Sequence, residues 1–346
     1  MRITAVLILA FAGPATLRAD SAWKREIVDL TRLDVLHTVV KRYTHSIAPA
    51  GSAFAVFDTN VVRLIDPRDG REIQTLTGHG GLIHDSGWSR DGRLVATSGY
   101  DETLRVWESA TGKQLLNVKP LASFACSVAI SPDSKSVAAG SSDDGKLVVV
   151  DIATGKSRSF QTPDKILFAV DFTPDGRQLL VNHVIQNPAD TSLRVYNVAD
   201  FTEVKIPVKG HVGSYAVSPD GRTLAWSNPQ GSIVLLETTG WTELRRFDGH
   251  LLGATSLAFH PCGRYLASSG RDGAVRLWNV ESAKEINSLP IKGEVDSRIA
   301  FGSDGATLVV ATADATVKVY GHREPVSGAS RPAPELPKIE APAPGK

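Results

Sequence analysis

Short runs of alternating apolar and polar residues, separated by tight turns, recur along most of the chain. Runs such as RLVATS (93–98) and TLRVWE (103–108) have an apolar side chain at about every second position, which predicts strands with one buried face. The turns are of the type SPDGR (218–222), in which Pro pre-sets φ and Gly adopts a positive φ. No segment between Trp23 and His322 has convincing helical periodicity. The pattern therefore predicts an all-β protein.

The turns recur at a nearly constant interval. Their fourth residues are separated by 41, 42, 42, 45, 42 and 42 positions, and they are Gly51, Gly92, Ser134, Gly176, Gly221, Gly263 and Gly305. The large apolar residue that ends each third strand is spaced similarly, at Ile65, Trp107, Val150, Tyr196, Leu236, Trp278 and Tyr320. Four antiparallel strands in each of seven such repeats predict a seven-bladed β-propeller.

The N-terminal part of the repeat region contains one strand too many, and the C-terminal part has one too few. LDVLHTVVK (33–41) precedes the first copy, whereas the last copy supplies three strands and ends at TVKVY (316–320). We expect the N-terminal strand to complete the last blade, because this would close the ring and remove an open sheet edge.

The repeated phrases resemble those of the WD40-repeat family over residues 33–322. Gly-His pairs occur at 78–79, 210–211 and 249–250, and an Asp precedes a Trp by six positions at Asp101/Trp107 and Asp272/Trp278. The array departs from the family pattern because no Trp is followed by Asp.

This resemblance implies two hydrogen-bonded tetrads of His, hydroxyl, Asp and Trp inside blades. Their members are His79, Thr97, Asp101 and Trp107 in one, and His250, Ser268, Asp272 and Trp278 in the other. A His and an Asp in one network could also belong to a hydrolase triad. We interpret the tetrads as structural, since each network pairs its own donors and acceptors, as a buried polar network must.

The two ends of the chain differ in composition from the repeats. Met1-Arg2, the apolar run ITAVLILAFAG (3–13) and the small residue Ala19 predict a secretory signal peptide over 1–19, followed by a lead-in over 20–32. The alternatives are an N-terminal strand of the fold or an uncleaved anchor, but 11 apolar residues are too few to span a bilayer. The tail, 323–346, has six Pro and no aromatic residue, so we expect it to be extended or disordered.

The balance of charges and the cysteine content indicate which classes of partner and which cellular compartment to expect. The chain has 38 basic and 37 acidic residues, and removal of 1–19 would leave 36 against 37, a net charge of about −1. Because the chain has no basic run, we expect no nucleic-acid binding. Once the signal peptide has been removed, we expect no stable membrane span. Cys126 and Cys262 fall in blades three and six, so we expect no disulfide. With no N-x-Ser/Thr sequon, the chain looks like an exported, periplasmic or extracellular protein, most similar to those of a bacterial envelope.

No catalytic constellation is apparent in the sequence. GSSDDGKL (140–147) has the Gly-x4-Gly-Lys spacing of a phosphate-binding loop, but Leu147 stands where Ser or Thr would hold magnesium and a strand follows it. HExxH, CxxC and G-x-S-x-G are absent. We therefore predict no catalytic residues, no metal site and no cofactor.

Two features interrupt the repeat. The loop NHVIQNPADTS (182–192) is longer than its counterparts, and Trp241 replaces the Lys found after equivalent turns. The loop is either a tolerated insertion or a binding segment, and Trp241 is either packed beneath a neighbouring blade or an exposed anchor.

The leading hypothesis is a non-catalytic, monomeric scaffold that binds one or more proteins on the face that carries the connections between blades. The candidate contact residues are His84, Tyr100, His183, Asn187, Asn228 and Arg271. The alternative is a ligand- or metal-binding propeller enzyme, similar to lactonase-like or quinoprotein-like propellers, with a site over the central channel. Fold alone does not decide between them.

Overall fold

The structure is a computed structural model of the 346-residue chain. It describes residues 34–39, 44–47, 53–66, 70–183, 192–251, 253–291, 297–302, 305–312 and 316–321. Within these ranges the chain forms strands β1 to β28 and no helix, in agreement with the predicted all-β class. The predicted signal peptide, lead-in and tail lie outside the described residues.

The strands of the described residues form seven four-stranded antiparallel sheets, which are the seven predicted blades. The first described strand, β1 (Asp34–Val39), belongs to the last blade. Blade 1 contains β2 (Thr44–Ile47), β3 (Phe54–Asp58), β4 (Val61–Ile65) and β5 (Glu72–Thr77). Blade 2 contains β6 (Ile83–Trp88), β7 (Leu94–Gly99), β8 (Leu104–Glu108) and β9 (Gln114–Val118). Blade 3 contains β10 (Ala125–Ile130), β11 (Ser136–Ser141), β12 (Lys146–Asp151) and β13 (Ser157–Gln161).

The remaining blades follow in the same order. Blade 4 contains β14 (Leu167–Phe172), β15 (Gln178–His183), β16 (Leu193–Asn197) and β17 (Glu203–Val204). Blade 5 contains β18 (Ser214–Val217), β19 (Thr223–Ser227), β20 (Ser232–Glu237) and β21 (Glu243–Asp248). Blade 6 contains β22 (Ala254–Phe259), β23 (Tyr265–Gly270), β24 (Ala274–Asn279) and β25 (Lys284–Pro290). Blade 7 contains β26 (Arg298–Phe301), β27 (Thr307–Ala311), β28 (Val317–Gly321) and β1.

The ring closes as predicted. β1 pairs antiparallel with β28, with Val35 opposite Tyr320 and Val39 opposite Val317. The N-terminal strand thus completes a blade whose other three strands come from the end of the repeat region, and it covers the edge of β28.

The turns after the innermost strands of blades 2 to 6, which the structure describes in full, have the backbone conformation that their sequences demand. In 89–93 the amide of Gly92 donates to the carbonyl of Ser89 at 2.9 Å, and Gly92 has φ +71°. Ser134 occupies the same place in blade 3 with φ +60°, a left-handed conformation that is costly for a residue with a side chain. We call the side of the propeller with these turns the turn face, and the opposite side, where blades connect, the loop face.

Apolar side chains fill the space between neighbouring blades. Among the described residues there is one buried cluster at each interface; the cluster between blades 2 and 3, for example, includes Leu104 and Val106 from β8 and Val148 and Val150 from β12. Trp241, for which the sequence left two alternatives, is 7% exposed and packs in the cluster between blades 4 and 5. Because neighbouring blades share each core, the fixed period of the sequence becomes a ring of equivalent interfaces.

Candidate interaction face

The first tetrad lies at the loop-face end of blade 2. The Trp107 Nε1–H group donates to Thr97 Oγ1 at 2.8 Å, and the same hydroxyl lies 2.8 Å from His79 Nε2. His79 Nδ1 is 3.0 Å from Asp101 Oδ1. Since a carboxylate only accepts, Nδ1 carries the proton, and the Thr97 hydroxyl donates to Nε2. Every polar atom of this chain of contacts has a partner.

The second tetrad repeats this geometry in blade 6. Trp278 Nε1–H donates to Ser268 Oγ at 2.8 Å, and this oxygen lies 2.7 Å from His250 Nε2. His250 Nδ1 is 2.9 Å from Asp272 Oδ1. The hydroxyls of Thr97 and Ser268 belong to residues with no exposed surface, so in this structure neither can meet a substrate.

The glycine before each tetrad histidine is required by the packing of the tryptophan. A Cβ on Gly249 would lie 2.5 Å from the Trp278 ring, and one on Gly78 would lie 3.1 Å from the Trp107 ring. Both values are shorter than ordinary van der Waals contacts, so the Gly-His pair follows from the close approach of the ring to the backbone.

Burial and hydrogen bonding set the charge of the tetrads. Desolvation lowers the pKa of His79 and of His250, although the facing carboxylates oppose it. Desolvation alone would raise the pKa of Asp101 and of Asp272, but hydrogen bonds from Gly80 and His79 to Asp101, and from His250 and Arg276 to Asp272, outweigh it and lower each pKa to about 2. At neutral pH each tetrad therefore contains a carboxylate and a neutral imidazole.

Beside the first tetrad, the loop face carries a group of aromatic and apolar side chains that we call the aromatic patch: Leu82, His84, Tyr100 and Phe124. Tyr100 and Phe124 are stacked, with ring centroids 4.2 Å apart, and the ring of His84 lies 5.9 Å from Tyr100 and 5.2 Å from Phe124. Tyr100 is 53% exposed and Leu82 is 56% exposed, whereas His84 and Phe124 are half-buried.

Local structure explains why these side chains meet. The pairing of β6 with β7 shifts register between Ile83 and Asp85, so His84 lies in a bulge, a feature that redirects a side chain. The amide of Tyr100 donates to the carbonyl of Leu82 at 2.8 Å, which joins the two loops of blade 2. Phe124 comes from the loop entering blade 3, and it could not be predicted from the sequence because no repeat landmark marks that position.

The equivalent positions of blade 6 carry different chemistry. The amide of Arg271 donates to the carbonyl of Gly253 at 3.2 Å, the counterpart of the Tyr100–Leu82 bond. Arg271 is exposed, and its charge adds to burial in lowering the pKa of His211, which is also exposed on this face. The loop face of blade 6 therefore carries an exposed guanidinium where that of blade 2 carries an aromatic ring.

One of the predicted contact residues, His183, does not form a surface with the others. His183 has 0% exposure, and its Nε2 lies 3.4 Å from Asp164 Oδ2, which also accepts from Arg194 Nε at 2.8 Å. Its prediction as an exposed contact was wrong, because the loop entering blade 4 covers it and supplies the carboxylate. Asn187 lies outside the described residues, as does most of the lengthened loop. The half-buried Asn228 shapes its own turn: its side-chain oxygen accepts from the amide of Ser232 at 3.0 Å.

The inner strands contain two buried carboxylates that sequence analysis did not single out. Asp85 Oδ2 accepts from the amide of Val128 in the neighbouring blade at 3.0 Å, and burial raises the pKa of Asp85 to about 7. Asp171 accepts from the hydroxyl of Tyr215 at 2.9 Å, and burial raises the pKa of Asp171 well above its ordinary value. The alternation of apolar and polar residues does not indicate that these carboxylates are buried, because an Asp in a strand normally predicts a solvent-facing position.

No group of three or more His, Cys, Asp or Glu side chains suited to a metal ion occurs in the described part of the chain. The same residues include no helix with the length and apolar character to cross a membrane.

Comparison with known proteins identifies the repeat. The family model for the WD domain, G-beta repeat, matches residues 70–108, 120–151 and 241–279. The first and third ranges each end just after a tetrad tryptophan, and the second covers the inner three strands of blade 3. The sequence-based resemblance is thus confirmed in three separate parts of the ring.

Curated relatives resemble the chain at low identity. A guanine nucleotide-binding protein subunit beta from Oryza sativa subsp. indica is 23% identical, with 87% of this chain and 94% of the relative covered. The small ribosomal subunit protein RACK1 from Caenorhabditis elegans is 25% identical, with 88% and 94% covered. Periodic tryptophan protein 2 homolog from Dictyostelium discoideum is 26% identical over 63% of this chain, which spans only 24% of that relative's length. The matched ranges show that the chain contains WD40 repeats, and over most of its length it is similar to these WD-repeat relatives.

Proposed function

We propose that this chain is a non-catalytic, exported scaffold for protein–protein contact, and that a partner protein binds the loop face of blades 2 and 3 through the aromatic patch. The observation that carries the proposal is the exposure of Tyr100 and Leu82 beside the stacked ring of Phe124. Large aromatic side chains with an apolar body and a polar tip are enriched at the energetic centres of protein interfaces.

The surroundings of the patch favour a binding role over a folding role. The tetrad beneath it is satisfied and buried, so Tyr100 is not needed to complete the blade. A rigid frame below exposed aromatic rings lowers the entropic cost of binding, because the rings are already ordered. The relatives support contact with proteins: their names describe one as a subunit of a guanine nucleotide-binding protein and another as a protein of the small ribosomal subunit.

Partner capture with matched variants tests the proposal. Residues 20–346 are immobilised and exposed to an envelope extract of the source organism, beside a Leu82→Ser/Tyr100→Ala variant and a control variant, Leu251→Ser/Arg271→Ala. Leu251, which is 82% exposed, is a control of similar chemistry on blade 6. We expect one protein to be enriched on the parent and the control, and its affinity to fall about 30-fold or more on the patch variant, as for an interface hot spot.

Two outcomes would contradict the proposal. Equal enrichment on all three proteins would show that the patch is not the contact surface. Enrichment on none would favour the ligand-binding propeller, and thermal stabilisation by divalent ions and redox cofactors would then be measured.

The export component rests on residues 1–19, whose apolar run and small residue before Asp20 have the order of a secretory signal. We expect the full chain, produced in a bacterial host, to be recovered outside the cytoplasm with a new N-terminus near Asp20. A chain starting at Asp20 is the control and should remain in the cytoplasm. Retention of both in the cytoplasm would contradict export.

A further inference from the structure

The turns on the turn face share a site for a negative charge. In blade 2 the Ser89 hydroxyl donates to Asp91 Oδ1 at 2.7 Å, and the amide of Arg93 donates to the same oxygen at 3.0 Å. The turns of blades 3, 4 and 5 repeat both bonds within 2.6–3.1 Å. The third position of the turn is therefore a place where two donors converge on an anion.

Blade 6 puts a thiol in that position. Its turn reads HPCGR (260–264), so Cys262 replaces the aspartate and His260 replaces the serine. Cys262 Sγ lies 2.9 Å from His260 Nδ1, and the amide of Cys262 donates to the same nitrogen at 3.1 Å. The sulfur thus occupies a site that the other turns use for a carboxylate, which favours a thiolate.

The neighbouring blade fixes the histidine. His260 is 1% exposed, its ring lies edge-on to Phe301, and its Nε2 is 3.0 Å from the carbonyl oxygen of Gly305. A carbonyl only accepts, so Nε2 carries a proton. In the neutral ring Nδ1 accepts from the amide of Cys262 at 3.1 Å and faces the sulfur, and after it takes up a proton it donates to the thiolate. A nucleophile, a base within hydrogen-bond reach and a third group that orients the base form the arrangement that activates thiols.

Gly305 is part of this arrangement. A Cβ at this position would lie 2.4 Å from His260 Nε2, so only glycine leaves room for the ring. The His-Cys pair of blade 6 and the glycine in the turn of blade 7 therefore belong together.

The two cysteines of the chain are in opposite environments. Burial alone would raise the pKa of the Cys262 thiol, but the hydrogen bond and the positive charge that the protonated His260 ring offers the thiolate, with the donors of Arg264, outweigh it and lower this pKa to about 7. Cys126 is buried in β10, and burial, with smaller contributions from Asp85 and Asp143, raises its pKa to about 12. Cys262 is only half-buried, so a small molecule can reach it, while Cys126 serves as an internal reference.

We propose that Cys262 and His260 form a nucleophilic pair, and that Cys262 is a modification site for thiol–disulfide exchange with small soluble disulfides. The sulfur of Cys262 attacks one sulfur of a disulfide RS–SR. The S–S bond of RS–SR breaks, the mixed disulfide Cys262–S–SR forms and RS⁻ leaves. The thiol proton passes to His260 Nδ1 and then to RS⁻. The disulfide is the oxidant, so no other redox partner is needed.

The test measures which cysteine reacts and at which pH. The full chain is incubated under native conditions with glutathione disulfide, and the adduct is located by peptide mass spectrometry. We expect one glutathionyl group, on Cys262, in the parent and in Cys126→Ser, and none in Cys262→Ser. Reaction rates of Cys126→Ser with an aromatic disulfide, followed across pH by release of the coloured thiolate, should show a midpoint near pH 7, as the pKa of Cys262 requires.

Two variants test whether His260 activates the thiol of Cys262 or only stabilises the turn. His260→Ala removes the imidazole without supplying another donor to the sulfur, and Gly305→Ala displaces the ring without removing it. In the Cys126→Ser background each should raise the pH midpoint by about one to two units, toward an ordinary thiol. The rate at pH 7 should fall only about three- to five-fold, because a less acidic thiolate is a stronger nucleophile.

An unchanged pH midpoint in both variants, with the fold intact by circular dichroism, would overturn the role of His260. Equal modification of Cys126 and Cys262 in the native parent would overturn the site. The partner-binding proposal concerns the opposite face, so either proposal can fail without the other.

Discussion

Blades 2 and 6 contain the same tetrad but differ at both of its ends. The distances from the histidine Nε2 to the hydroxyl are 2.8 and 2.7 Å, and both tryptophans donate to that hydroxyl at 2.8 Å. On the loop face, however, Tyr100 of blade 2 corresponds to Arg271 of blade 6. On the turn face, Asp91 corresponds to Cys262.

This difference separates the part of a blade that builds the ring from the parts that are free to vary. The tetrad residues are buried and mutually satisfied, so a change in one leaves its partners without hydrogen bonds. The first residue of the loop after the second strand and the third residue of the turn lie outside that network. At the loop position the same backbone geometry carries an aromatic ring in blade 2 and a guanidinium in blade 6. At the turn position it carries a carboxylate in blade 2 and a thiol in blade 6.

The largest effect on stability should come from the tetrads, which both blades contain. Trp107→Ala and Trp278→Ala each remove a buried ring and a donor to the tetrad hydroxyl, and each should lower the free energy of unfolding by about 3–5 kcal/mol. Denaturant titration of both variants measures the two losses. A loss in one blade that is smaller by more than about 2 kcal/mol would show that the two tetrads are not equivalent.

The second largest effect should come from the inner strands, where an ionisable side chain in blade 2 corresponds to a neutral one in blade 6. Asp85 Oδ2 and Ser256 Oγ both accept from an amide of the following blade, at 3.0 and 3.3 Å, but only Asp85 can ionise. Burial raises the pKa of Asp85 to about 7 from 3.8, so the stability it contributes is present below about pH 4 and is lost as pH rises from there to about 7.

Asp85→Asn keeps an acceptor for the amide of Val128 without a charge, so it should be more stable than the parent by on the order of 4 kcal/mol at pH 8. The difference should shrink as the pH falls toward 4. Unfolding free energies at several pH values measure it, and Ser256→Ala is the control, whose difference from the parent should not vary with pH. A constant difference for Asp85→Asn would contradict a raised pKa.

A transplant of the turn chemistry tests whether the neighbouring blade is part of the thiol site. Ser89→His/Asp91→Cys, in a chain with Cys126→Ser and Cys262→Ser, copies the pair into blade 2. Ser134 of blade 3 then stands where Gly305 accommodates the ring in blade 6. We expect the new thiol to react with the pH midpoint of an ordinary cysteine, and the addition of Ser134→Gly to lower that midpoint by about one unit. A low midpoint without Ser134→Gly would show that the neighbouring glycine is not needed.

The smallest effect concerns Ser134 alone. Its φ of +60° is unfavourable for a residue with a Cβ, whereas the turns of blades 2 and 6 have glycine there. Ser134→Gly should therefore stabilise the protein by about 0.5–1 kcal/mol, because relief of the strain exceeds the extra entropy of the unfolded chain. Thermal unfolding measures the gain, and Gly92→Ser in blade 2 is the reverse change, with a loss of similar size. A loss for Ser134→Gly would contradict the argument.

The fold could be predicted from the sequence because its determinants are local and repeated. A Gly or Ser at the fourth position of each turn and an apolar residue at the end of each third strand fixed the period, and the spare strand at 33–41 indicated how the ring closes. The tetrads could be placed for the same reason, since their members lie at constant separations within one repeat.

The loop-face surface was only partly predictable. Tyr100 and His84, both predicted as contact residues, lie with ring centroids 5.9 Å apart, but Phe124 comes from the next blade and has no constant position in the repeat. His183 occupies the strand end after which an exposed contact was expected. It is buried, and its Nε2 faces Asp164 at 3.4 Å, a residue of the loop that enters blade 4.

The sequence by itself determined the number of blades, the strand order and the residues that hold each tetrad, because each depends on contacts within about 42 residues. Only the tertiary structure decided which side chains from different blades meet. It placed Phe124 on Tyr100, buried Asp85 against the next inner strand and set the backbone of Gly305 against His260, which in turn faces Cys262. These contacts cross blade boundaries, where the spacing along the chain carries no information about distance.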